Sequence, residues 1–128
     1  MSPAASRVLV IGFDPHAVSP VLADAEAVTA AIAAGQARFD AAGLPVDLCL
    51  VDLDRTRAMD RIVEQLGAHE YACVVIGGGI RKPEPLLEFF EQVVNLVHRH
   101  APRAAIAFNT NPTNSLVAAL RWLQARSV

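Results

Sequence analysis

Four short apolar runs rich in β-branched residues restrict the fold of this chain more than any other feature. They are RVLVIGF (7–13), VDLCLVD (46–52), YACVVIGG (71–78) and RAAIAFN (103–109). The first and third are apolar at consecutive positions, which marks strands buried on both faces and hence a parallel sheet covered by helices. The segments between them have helical character. Residues 24–42 are Ala-rich, with Val28, Ile32 and Phe39 on one side and Gly43 as a stop signal. Residues 57–69 carry Met59, Ile62, Val63 and Leu66 on one stripe. A third helix is predicted to open at Pro83 and Pro85, continue through LLEFFEQVVNLVHRH and end before Pro102. A fourth runs through SLVAALRWLQAR, with Thr113 or Asn114 as its N-cap.

The alternation predicts a (βα)₄ unit, a single α/β domain over 1–128. The most economical doubly wound arrangement is a small three-layer sandwich: four parallel strands in the order 2-1-3-4, helices on both faces, a flavodoxin-like sheet shortened by one strand. Strand 2 is then an edge, which suits its charged flanks Asp47 and Asp52.

Composition excludes several classes. With 53% apolar and 19% charged residues the chain can fill a core, so disorder is excluded for its bulk. Eleven Lys and Arg against thirteen Asp and Glu leave a net charge of −2, with no basic excess to draw it onto nucleic acid or an anionic membrane. No apolar run is long enough to span a bilayer. MSPAASRVLVIGF is a poor secretion signal, with Arg7 its only early charge and an Asp-Pro turn close behind, so a cytoplasmic location is expected. Cys49 and Cys73 each sit inside an apolar run and read as buried free thiols, kept apart by strand 1. Neither a metal site nor a tightly bound cofactor is expected.

In an open parallel sheet, ligands bind beyond the carboxyl ends of the strands where the strand order reverses, here between strands 1 and 3. Three segments reach that edge. In GGGIRKP (77–83), Gly77, Gly78 and Gly79 offer backbone N–H groups at close range, and Arg81 and Lys82 add positive charge, so a phosphate or carboxylate is the natural guest. No nucleotide-binding fingerprint is present. Lys82 is the only lysine beside ten arginines. In FNTNPTN (108–114), Thr113 and Asn114 serve capping, while Asn109, Thr110 and Asn111 are ligand-contact candidates. In DPHAVSP (14–20), Asp14 and His16 are an acid and an imidazole close in sequence, the candidate proton carriers, on a loop long enough to act as a lid. His69, His98 and His100 suit helix C-termini, and no serine or cysteine sits in a nucleophile elbow.

VDLCLVD, VVIGGGIR, the helix ending NLVHRHAP, and AIAFNTNP together resemble a group of uncharacterised single-domain proteins of bacteria and fungi, about this long. The resemblance covers most of the chain from strand 1 onward. It implies the Rossmann-like, flavodoxin-like fold and the importance of the Gly77 to Arg81 loop, and brings no activity with it. The leading expectation is a small anionic metabolite bound at the carboxyl edge, with isomerase, lyase or hydrolase chemistry if a reaction follows. The alternative is a non-enzymatic interaction or regulatory module. The third helix is apolar at 86, 87, 89, 90, 93, 94, 96 and 97, wider than one core-facing stripe needs, which points to a homodimer.

Overall fold

The structure is a computed structural model and describes residues 6–18 and 24–126. Strands β1 (Val8–Phe13), β2 (Val46–Val51), β3 (Cys73–Ile76) and β4 (Ala105–Phe108) form one parallel sheet in the order β2-β1-β3-β4, as expected. Ile11 lies opposite Cys49 on one side and Ile76 on the other, and Ile76 lies opposite Phe108. The helical elements are α1 (Pro15–Val18), α2 (Ala25–Ala42), α3 (Arg55–Ala68), α4 (Gly78–Arg81), α5 (Leu87–His100) and α6 (Ser115–Arg126).

Strand alternation sorts the sheet residues into two cores. Leu9, Ile11, Cys49, Val51, Val74 and Ile76 face α3 and α5, with Ile62, Leu66, Phe89, Val93 and Val97 packed over them. Val8, Val10, Cys73, Val75 and Ala107 face the other way, toward Phe39 of α2 and Ala118 and Ala119 of α6. Cys49 and Cys73 therefore sit buried on opposite faces of the sheet. No helix of the described residues is long and apolar enough to cross a membrane.

Helix ends follow local chemistry. Asp24 accepts hydrogen bonds from the N–H groups of Glu26 and Ala27 to start α2, and Gly43, at φ 67°, ends it. Asp54 starts α3 by accepting from Arg57 N–H at 3.0 Å. The third predicted helix differs from expectation. Pro83 and Pro85 do not open it; a 3₁₀ turn spans Glu84–Leu86 and the α-helix begins at Leu87, because the prolines lack N–H groups and Leu86 N–H closes a tight turn on Pro83 O instead. The wide apolar stripe of α5 is largely absorbed by the core: Phe89, Val93 and Val97 are buried, Phe90, Val94 and Leu96 pack against the same cluster, and Leu87 stays exposed.

Helix α2 is held chiefly by α1, by the 3₁₀ turn Pro112–Asn114 and by α6. Gly35 is what permits the second contact. A Cβ there would stand 2.2 Å from the Pro112 carbonyl oxygen, closer than any atom pair allows. Gly67 of α3 has nothing within 4 Å. We expect Gly35→Ala to lower stability by about 1–3 kcal/mol through forced displacement of α2. Gly67→Ala should raise it by about 0.5–1 kcal/mol. Urea unfolding of both variants checks the pair.

At the amino edge of the sheet, far from the strands' carboxyl ends, Tyr71 is 3% exposed. Its hydroxyl donates to Asp47 Oδ2 at 2.8 Å and accepts from Gln65 Nε2 at 2.7 Å, while Arg7 Nη1 reaches the same carboxylate at 3.1 Å. Burial first, and then the Asp47 carboxylate, push the Tyr71 pKa up to about 12. The folded pKa thus exceeds the unfolded value near 10, so the stabilisation is complete below pH 10 and drains away as pH rises toward 12. Urea midpoints measured from pH 9 to 12 should fall steeply for the wild type and less steeply for Tyr71→Phe.

Candidate ligand-binding site

The strand order reverses between β1 and β3, and a cleft of about 320 Å³ opens at their carboxyl ends. Its floor is Val10 and Gly12 of β1 with Leu48 and Leu50 of β2. Its roof is Val28, Ile32 and Gln36 of α2, and Lys82, Thr110 and Asn111 stand among the residues around it. Among the described residues Lys82 is the one charged side chain in the lining.

The glycine segment is built for close approach rather than for unusual backbone angles. Gly77, Gly78 and Gly79 all lack positive φ, since Gly43 alone among the described residues has it. A Cβ on Gly77 would lie 3.2 Å from Ile11 O, and one on Gly78 would lie 3.1 Å from both Thr110 O and Lys82 Cε. Gly79 is less constrained, with only the Phe13 ring at 3.8 Å. The segment forms one helical turn, α4, and spends several of its N–H groups internally. Ile80 and Arg81 donate to Gly77 O, Lys82 to Gly78 O, and Gly78 to Asn109 Oδ1 at 2.8 Å. It is a hydrogen-bonded turn, and Gly77, Gly78 and Gly79 all line the cleft.

The two cations separate. Arg81 is not part of the cleft lining. Its Nη2 donates to Asn109 O at 2.9 Å, its guanidinium carbon lies 5.9 Å from the centre of the Phe108 ring, and its Nε is buried without a partner among the described residues. Lys82 instead folds back across Gly78, with Nζ donating to Thr110 O at 2.5 Å.

The 109–114 segment is largely self-satisfied. Asn109 is 3% exposed; besides accepting from Gly78, it donates through Nδ2 to Ser115 Oγ at 2.9 Å. Asn111, expected to contact ligand, is the N-cap: its Oδ1 accepts from the N–H of Thr113 at 2.9 Å and from the Thr113 hydroxyl. Asn114 closes the box from the other side, accepting from the N–H groups of Thr110 and Asn111 and donating to Thr110 Oγ1. Capping by Thr113 or Asn114 alone is therefore corrected to a reciprocal box centred on Asn111, whose side chain is short enough to reach back to its own turn. Asn109, Thr110 and Asn111 do all line the cleft.

Asp14 and His16 do not act as an orienting pair. Asp14 Oδ1 accepts from the backbone N–H of His16 at 3.0 Å, and the imidazole Nε2 lies 3.4 Å from Thr29 Oγ1 on α2. Asp14 lines a second, smaller cleft of about 130 Å³ with Asp52, Arg57 and Arg61. The Asp54 N–H, and then Arg57, hold the Asp52 carboxyl below its ordinary range. The segment expected to be a loop is the short helix α1 over Pro15–Val18, and Ser19 and Pro20 lie outside the described residues. Burial pushes the Cys49 thiol up, away from thiolate chemistry. Among the described residues no three His, Cys, Asp or Glu side chains come together as a metal ion requires.

Sequence reasoning located the edge and missed the apolar half of the cleft. Val28, Ile32, Leu48 and Leu50 read as ordinary core, and the available signal was Gly12, a glycine inside an apolar strand. Asn109→Ala should leave the Gly78 N–H and the Ser115 hydroxyl short of a partner and lower stability by about 2–3 kcal/mol. Asn111→Ala, which removes a cap at the surface, should lower it by about 1 kcal/mol. Chemical denaturation distinguishes the two.

Compared with known protein families, curated proteins and solved structures, the chain matches none.

Proposed function

We propose that the chain binds a small organic anion in the 320 Å³ cleft at the carboxyl ends of β1 and β3. The observation that carries this reading is Lys82, among the described residues the lone positive charge in a lining otherwise apolar or neutral. Its side chain is exposed at the rim, where it can give a charge-assisted hydrogen bond to a carboxylate or phosphate whose remainder enters the cleft. Asn111 and Thr110 flank it with further polar atoms, although their side chains serve the turn first. The anion contact first expected at Arg81 falls instead to its neighbour, because Arg81 is committed to Asn109 O and the Phe108 ring.

The reading is one of binding. Its nearest acid and imidazole, Asp14 and His16, are engaged separately, one with a backbone N–H and the other near Thr29.

A thermal-shift series tests it, with phosphates, nucleotides and small carboxylates at constant ionic strength. A ligand at a hundred times its Kd adds about 2.7 kcal/mol to stability, a shift of several degrees in a domain of this size. The wild type should shift with at least one anion, Lys82→Met should lose the shift, and Arg81→Ala should keep it on a lower baseline. No shift with any anion, or a shift unaltered in Lys82→Met, would sink the proposal.

A further inference from the structure

Resting on that reading, we infer that the ligand is amphipathic: a monocarboxylate whose apolar body lies between α2 and the β1–β2 surface, with its carboxylate at Lys82. The cleft volume of about 320 Å³ fits such a molecule of on the order of ten non-hydrogen atoms.

Three observations carry it, and the first is the unequal filling of the two sheet faces. On the α3 side, β2 contributes Cys49 and Val51, which are 1% and 2% exposed. On the α2 side, the same strand contributes Leu48 and Leu50, which are only half-buried although a helix lies over them. Val28 and Ile32 of that helix are half-buried too.

The second is Gly12. Its backbone is ordinary strand without positive φ, and among the described residues a Cβ there would meet only Leu50 Cδ2, at 3.9 Å. Neither conformation nor crowding requires a glycine, and glycine weakens a strand. What its missing side chain does is leave the floor of the cleft clear.

The third is the way α2 is held. Gly35 bears on the Pro112 carbonyl at the border of the cleft and Phe39 is seated in the core, so the roof is propped toward its C-terminal end while Val28 and Ile32 stay half-buried. A gap with apolar walls and one ammonium at its rim selects a molecule with the same division. Burying each methylene of such a body tightens binding about fourfold.

Calorimetric titration with straight-chain carboxylates from acetate to decanoate, alongside the alcohols of equal length, tests the inference. The wild type should bind about fourfold more tightly per added methylene until the cleft is full, and carboxylates should exceed alcohols at every length. Gly12→Val should keep or raise the melting temperature and lose the dependence on chain length. Ile32→Trp, which fills the gap from the roof, should do the same if Gly12→Val does not fold. Acetate binding as tightly as octanoate would overturn the amphipathic ligand and leave the anion site standing. Alcohols binding as well as carboxylates would overturn the carboxylate at Lys82, and the anion site with it. Length dependence that survives both filling variants would overturn the placement under α2.

Discussion

The buried amide of Asn109 joins the two halves of the carboxyl edge. Its oxygen holds the Gly78 N–H, its nitrogen holds Ser115 Oγ, and its backbone carbonyl takes the Arg81 guanidinium. Asparagine supplies an acceptor and a donor on one short side chain, and both are needed here. A leucine of similar size would leave the Gly78 N–H without its acceptor and Ser115 Oγ with only the Pro112 carbonyl, and an aspartate would place a charge at a site that is 3% exposed. This one residue ties the β3–α4 turn to the β4–α6 turn, which lie so close that a Cβ at position 78 would stand 3.1 Å from the Thr110 carbonyl oxygen. The parallel sheet brings the two strand ends side by side; the amide then fixes how their turns sit against each other.

The cleft is a consequence of that closure. Once the 109–114 turn is fixed, it supports α2 at Gly35, where carbonyl and helix backbone nearly touch. Helix α2 is Ala-rich, so few of its side chains are large enough to reach the sheet; near its C-terminal end Phe39 does, whereas toward its N-terminal end Val28 and Ile32 remain half-buried. The opposite layer is different in kind. Helices α3 and α5 supply Ile62, Leu66, Phe89, Val93 and Val97 to an uninterrupted core. One face of the sheet therefore carries the packing that holds the domain together, and the other holds the space.

The architecture was legible because its signals are local. A strand covered on both faces must be apolar at consecutive positions, which β1 and β3 are, and Gly43 marks the end of α2 at the position where a left-handed residue is needed. The position of the cleft was legible for the same reason, since it follows from where strands end. Its chemistry was less so. A polar side chain in the sequence announces a hydrogen bond without naming its partner, and at this edge the partners of Asp14, Asn109, Asn111 and Asn114 are largely backbone groups of neighbouring turns. Arg81 and Lys82 are adjacent in sequence, yet one helical turn sends the first to Phe108 and the second to the cleft. Leu48 and Leu50 could not be told from core residues, because what distinguishes them is the distance to the layer above.

The balance within the cleft decides how apolar wall and single cation would share the work. Lys82 already donates to the Thr110 carbonyl, a bond that an anion need not displace. An ammonium carries three donors, and a carbonyl uses one. The contact with Thr110 can persist while another N–H turns to a carboxylate, so the lysine enters the complex with its position partly settled and less side-chain freedom to lose. In the proposed complex, orientation would come from a group that is fixed in advance by the same 109–114 turn that supports α2. Affinity would come from the apolar gap beside it. Both would trace to one turn, a polar segment whose side chains mostly bond to each other.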